Sequence, residues 1–81
     1  MKIEFLRTFV FLAEEKSFSK LAIKLKMSQS TLSHRISQIE SEFGDIKLIN
    51  RTTRRFELTE EGNIFLEYAK GIVELLSLIH I

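Results

Sequence analysis

From Ser17 to Glu40 the chain reads as a short helix, a tight turn and a second helix whose first exposed residues are hydrogen-bonding or basic. On the first of these helices Leu21, Ala22 and Leu25 face inward and Lys20, Lys24 and Lys26 outward, with Ser17 and Ser19 each able to cap its start. On the second, Leu32, Ile36, Ile39 and Phe43 fall at offsets of 0, 4, 7 and 11, one helical stripe that Ser28 can cap. Gln29, Ser30, Ser33, His34 and Ser37 are left on the open side. Gly44 then ends the helix, because glycine tolerates a left-handed C-terminal residue. Two helices in this relation form a helix-turn-helix, in which the second enters the major groove of a duplex with its N-terminal residues at the base edges.

The charges are arranged to suit such a partner. Twelve Lys and Arg against eleven Asp and Glu leave a net charge of only +1. Yet nine of the twelve cations lie in two windows that contain no acid. Lys16, Lys20, Lys24, Lys26 and Arg35 occupy residues 16–39, and Lys47, Arg51, Arg54 and Arg55 occupy residues 46–56. The acids gather at Glu4, Glu14 and Glu15, at Glu40, Glu42 and Asp45, and from Glu57 onward. Segregation of this kind gives one face a positive field without making the molecule basic overall.

Around the central pair the rest of the chain is also mostly helical. Phe5, Leu6, Phe9, Val10, Leu12 and Ala13 predict a first helix over residues 4–15 with one buried stripe, Phe11 lying off it and Phe18 packing back against it. After Asp45 the period changes. Ile46, Leu48 and Ile49 form a short apolar run, residues 51–55 a polar and basic tip, and Phe56 and Leu58 alternate with Glu57, which predicts two short strands and a turn. Thr59 then caps a long helix with Glu60 and Glu61 in its first turn, where negative charge suits the helix dipole. Its apolar residues, including Phe65, Tyr68, Ala69, Ile72, Val73 and Leu76, form a stripe too wide for one small core to cover, so a second copy of the chain is the expected cover. The fold class that results is mainly α: a winged helix-turn-helix, with a three-helix core and a short two-stranded β wing over residues 1–58, followed by a linker and dimerisation helix over residues 59–81.

Duplex geometry assigns the chemistry. Gln29, Ser30 and Ser33 are placed to read base edges, with His34 and Arg35 near base or phosphate; Gln can pair with adenine through two hydrogen bonds, and Ser can donate to or accept from any base. Arg51, Arg54 and Arg55, with Thr52 between them, suit phosphate or the narrow minor groove. Ser17 and Ser19, at a helix start, can offer backbone N–H groups to a phosphate.

Other chemistries find little support. Eighty-one residues make one small domain, able to bury about 60–65% of the surface its unfolded chain exposes and too small for a sizeable substrate pocket. There is no cysteine, which excludes disulfides and thiolate metal sites. His34 and His80 each lack a second ligand at metal spacing, so no metal and no cofactor is expected. No Gly-rich phosphate loop or nucleophile elbow occurs, and the pairs Glu14-Glu15 and Glu60-Glu61 point to different sides of a helix. An enzyme is therefore not expected. Charges interrupt the apolar N-terminus and the long helix has few cations, which argues against a leader peptide, a membrane span or a membrane-surface helix and leaves the cytoplasm as the expected location.

At these residues the chain closely resembles the N-terminal domain of LysR-type transcriptional regulators. The resemblance is carried by Leu6-Arg7-x-Phe9, by Ala13-Glu14-x-x-Ser17-Phe18-Ser19-x-x-Ala22-x-x-Leu25, by Ser28-Gln29-x-x-Leu32-Ser33-x-x-Ile36-x-x-Ile39-Glu40-x-x-Phe43-Gly44, and by Leu48-x-x-Arg51-Thr52-x-Arg54-x-Phe56-x-Leu58-Thr59-x-x-Gly62. It implies a winged helix-turn-helix on double-stranded DNA, a linker helix that forms a homodimer, and a small-molecule effector sensed only by a further C-terminal domain, which this sequence lacks. It also implies that Gln29, Ser30, Ser33 and His34 contact bases or phosphates and that the wing from Arg51 to Arg54 touches the backbone. The chain departs from the pattern at Leu21, where the family usually has Ala, at Ser30 for a common Pro, at His34 for a common Arg, and at Asp45-Ile46, which adds one residue before the wing. The ending Leu76-Ser77-Leu78-Ile79-His80-Ile81 resembles a translated transposase-end sequencing adapter, so natural sequence is expected to stop near Leu75.

The function expected is thus sequence-specific DNA binding by a transcriptional regulator of LysR type. The rival from another class is a protein-interaction module that uses the winged scaffold and its terminal helix without touching DNA, and a molybdate-type regulator would look similar over this length.

Overall fold

The computed structural model describes residues 1–52 and 54–79. Thr53 in the wing tip, and His80 and Ile81 of the adapter-like ending, lie outside the described residues. Four helices follow one another: α1 (Ile3–Glu15), α2 (Phe18–Leu25), α3 (Gln29–Glu42) and α4 (Glu60–Ile79).

Each helix boundary has a local cause. The Ser17 hydroxyl accepts the Lys20 N–H at 3.1 Å and the Ser28 hydroxyl accepts the Thr31 N–H at 3.0 Å, the expected N-caps of α2 and α3. Thr59 does the same for α4, its hydroxyl accepting the Gly62 N–H at 2.9 Å. The tight turn between α2 and α3 is made by Lys26, which closes α2 at φ 55°. A second lysine, Lys16, closes α1 in the same left-handed region at φ 59°. Gly44 (φ 74°) and Asp45 (φ 61°) turn the chain out of α3, so the conformation foreseen at the glycine extends over two residues.

The apolar stripes of the first three helices converge on Phe9, Leu12, Leu32, Ile36 and Ile39, all fully buried. α1 is the hub, packing against α2, α3 and α4. Phe65 of α4 seals one end, its ring edge-on to Phe9 at 5.2 Å and to Phe43 at 5.4 Å between centroids. Phe18, expected on α1, has its ring 6.2 Å from that of Phe56 in the wing.

The wing is slighter than two regular strands. Among the described residues its arms form a single antiparallel bridge, Ile49 to Leu58, flanked by Asn50 N–H to Glu57 C=O at 2.9 Å and Thr59 N–H to Leu48 C=O at 3.0 Å. The Asn50 side chain shapes the turn, its Oδ1 accepting both the Thr52 N–H at 3.1 Å and the Thr52 hydroxyl at 2.6 Å. Leu48 ties the wing to two helices. Its N–H donates to the Glu40 carboxylate at 2.8 Å, a buried bond to α3, and its carbonyl lies so close to Gly62 of α4 that no side chain fits there.

α4 carries two apolar stripes where the sequence suggested one. Phe65, Leu66, Ala69 and Val73 pack into the chain's own core, Ala69 with no exposure at all. Ile64, Tyr68, Ile72, Leu75 and Ile79 form a separate exposed stripe. The residues grouped as a dimer surface are therefore divided: Phe65, Ala69 and Val73 belong to the core, while Tyr68 and Ile72 stay open and Leu76 is half-buried.

Candidate nucleic-acid interface

The interface begins with the Ser28 cap. By holding the first turn of α3 at the end of a sharp bend, it projects Gln29, Ser30 and His34 into solvent, all exposed, with Ser33 half-buried beside them. Gln29, Ser30, Ser33, His34 and Ser37 line a shallow depression of about 570 Å³ whose remaining walls are Phe18 and Arg51. Ser37, on the open side in the sequence, joins the candidate readers here because it lies one turn beyond Ser33.

A second cleft, of about 400 Å³, lies between the helix-turn-helix and the wing. Lys16, Ser17 and Ser19 line one wall and Arg51, Arg54 and Arg55 the other, with Gln29 at the edge. The Ser17 and Ser19 hydroxyls lie 3.1 Å apart. The cleft therefore presents cations, hydroxyls and a helix start on one open surface, the donors that a phosphate oxygen accepts. The structure thus brings together Ser17, Ser19 and the three wing arginines, which are remote in sequence. Thr52 is exposed at the tip, its hydroxyl committed to Asn50.

Two arginines make contacts within the protein that the sequence did not disclose. Arg35, expected beside base or phosphate, is half-buried and turned toward α1. Its guanidinium donates to the Thr8 hydroxyl at 3.1 Å and lies 5.4 Å from the Phe5 ring centroid. The Thr8 hydroxyl in turn donates to the Glu4 carbonyl of the same helix at 2.8 Å, which leaves its oxygen free to receive Arg35, and the Arg35–Thr8 bond ties α3 to α1. Helical spacing explains the difference: Arg35 lies one residue before Ile36 in the buried stripe, on the flank nearer α1. The second is Arg51, which reaches across from the wing to donate to the Ser33 hydroxyl at 2.9 Å while its guanidinium carbon lies 5.4 Å from the Phe18 ring centroid.

Sequence reading missed Thr8, Glu40 and Asn50 as parts of the site's support. Thr8 and Glu40 are buried polar residues in runs that read as ordinary helix, and only their long-range partners disclose them. Among the described residues no group of three or more His, Cys, Asp or Glu side chains is placed to hold a metal ion, and no helix is long and apolar enough to cross a membrane.

Known proteins share this arrangement. Residues 3–63 match the family described as bacterial regulatory helix-turn-helix protein, lysR family. The chain is 51% identical over 73 residues to the HTH-type transcriptional regulator ShiR of Corynebacterium glutamicum (strain R), covering 90% of this chain and 24% of ShiR. It is 43% identical over 77 residues to the regulator BenM of Acinetobacter baylyi (strain ATCC 33305 / BD413 / ADP1), covering 95% of this chain and 24% of BenM. The chain thus spans about a quarter of the length of the curated relatives it matches. Among solved structures, the BenM DNA-binding domain in complex with catB site 1 DNA superposes with a TM-score of 0.89 at 38% identity, over 98% of this chain and 88% of that one. Vibrio fischeri DarR in complex with DNA gives a TM-score of 0.88 at 29% identity, over 96% of this chain and 26% of that one.

Proposed function

Since this chain belongs to the LysR family of bacterial regulatory helix-turn-helix proteins, we propose that it is the sequence-specific DNA-binding part of a transcriptional regulator, acting by binding and not by catalysis, in the cytoplasm, as a dimer. The observation that carries this reading is the pairing of an exposed, hydrogen-bonding start of α3 with an arginine-lined cleft beside it, on a backbone that superposes on a domain solved in complex with DNA.

In this reading Gln29, Ser30, Ser33 and His34 meet base edges in the major groove, with Ser37 behind them. Arg54 and Arg55, with Lys16 and the α2 start at Ser17 and Ser19, take phosphates and supply affinity without sequence preference. Arg35 sets the aim of α3 from behind instead of reading. The open stripe of α4 is covered by the same stripe of a second copy. Ile64 and Ile79 are fifteen residues apart, which is about 22 Å along a helix axis. Two such domains place their recognition helices on half-sites separated by about 34 Å, one duplex turn, or a multiple of it.

Fluorescence anisotropy of a mixed-sequence duplex titrated with the protein across a salt series tests the reading. Log affinity is expected to fall linearly with log salt, each neutralised phosphate adding about 0.9 to the slope. Absence of binding by the folded protein at low salt overturns it.

A further inference from the structure

The bond between Arg51 and Ser33 joins a residue of the wing to a residue of the recognition helix, and its chemistry is directional. A serine hydroxyl has one proton to give and two lone pairs to receive with, whereas a guanidinium only donates. When Arg51 donates to Ser33 Oγ at 2.9 Å, the hydroxyl has spent one of its two lone pairs; its proton and its other lone pair both point away from the guanidinium, and the adjacent cation polarises the O–H toward donation. Among the described residues no protein group accepts that proton. Arg51 is itself held. Its guanidinium lies over the Phe18 ring at 5.4 Å, and Phe18 is braced by Phe56 at 6.2 Å, so α2 and both arms of the wing fix it.

We propose that Arg51 is a positioning residue that biases Ser33 toward donating a hydrogen bond, so that the wing influences which base edge the recognition helix prefers. This inference rests on the DNA-binding reading and goes further by assigning a polarity to one contact. A free serine serves any base, but one polarised by an adjacent cation donates more strongly than it accepts and so favours an acceptor opposite it. In the major groove guanine, adenine and thymine each offer one, whereas cytosine presents only its amino donor. The base that faces Ser33 is therefore guanine, adenine or thymine, with cytosine disfavoured. Lysine cannot replace arginine here, because a compact ammonium neither stacks on Phe18 nor holds the planar fork in register.

The test starts from an operator selected by the full chain from a random duplex library. Each base pair of it is then substituted in turn, and binding is measured for the unaltered protein, Arg51→Gln, Arg51→Lys, Ser33→Ala and the Arg51→Gln/Ser33→Ala double variant. Ser33→Ala leaves the Arg51 stack on Phe18 in place and isolates the hydroxyl. Discrimination against cytosine at one base pair is expected to fall about five- to tenfold, the lower part of the range for a single mismatch, in Ser33→Ala and equally in both Arg51 variants. The double variant is expected to lose no more than either single change, and other positions to keep their ranking. The inference is overturned if Arg51→Gln lowers affinity uniformly and flattens the salt slope while leaving that base pair discriminated, if Arg51→Lys restores the discrimination, or if the two losses add. Failure of the unaltered protein to bind any duplex sinks the DNA-binding reading itself, and this inference with it.

Discussion

Leu48 shows how much a single peptide unit can hold in a domain this small. Its N–H is satisfied by the Glu40 carboxylate inside the protein, and its C=O receives the Thr59 N–H while lying against Gly62. Replacing Glu40 by Ala removes the acceptor and leaves a buried donor unpaired, at a cost of about 1–3 kcal/mol. Glu40→Gln keeps a carbonyl oxygen in place and is expected to lose clearly less. Urea unfolding of the two variants separates these outcomes; equal losses would mean that shape and not the hydrogen bond matters. Gly62→Ala drives a methyl group into the Leu48 carbonyl, and relief requires a shift of the wing away from α4. A loss of roughly 2–3 kcal/mol is expected, within the range for overpacking a tight site. Gly71, where an added Cβ meets nothing, is the control, since Gly71→Ala should stabilise by up to about 1 kcal/mol as a helix-interior glycine replaced by the best helix former.

At the scale of elements, the recognition helix is aimed from behind and the wing is hung from its far end. Arg35 and Thr8 tie α3 to α1, and Glu40 at the other end of α3 carries the wing. In the proposed reading, affinity and sequence reading therefore reside on separate groups. Changing Arg54 and Arg55 to Glu is expected to weaken binding to every duplex alike and to lower the salt slope by about two, one per lost phosphate contact. The rank order of operator variants should survive. Arg35→Ala is expected to do the opposite, blurring the rank order while leaving the salt slope near its original value, because the guanidinium is spent on α1. Anisotropy across salt and across an operator series reads both; an Arg35→Ala slope reduced by one would return that arginine to the phosphate contacts.

For the whole molecule the two stripes of α4 make fold and assembly separable. Tyr68 and Ile72 are 71% and 43% exposed while Ala69 between them has no exposure. Ile72→Glu is expected to shift the protein from dimer to monomer in sedimentation with its helical circular dichroism unchanged. Ala69→Leu should instead destabilise the monomer by about 1–3 kcal/mol through overpacking. If Ile72→Glu unfolds the chain, the stripe is structural and the dimer reading of α4 fails. Monomers would still carry both clefts proposed to contact DNA, so binding should persist with weaker affinity and without a preference for paired half-sites.

The sequence by itself determined the helices, their caps and which residues stand open at the start of α3, because caps and apolar spacing act over a few residues and are written locally. Ser17, Ser28 and Thr59 each cap as their position predicts, and Gln29, Ser30 and His34 stand open because the stripe of Leu32, Ile36 and Ile39 turns them outward. Tertiary structure alone decided what joins residues far apart in the chain. It turned Arg35 onto Thr8, sent Arg51 to Ser33, buried Glu40 for the sake of Leu48, and divided the apolar residues of α4 between its own core and an open stripe. A charged or apolar residue on a helix shows in its spacing which side it occupies. Only the packing of α1, α3, α4 and the wing around it fixes whether that side meets solvent, a neighbour or the core.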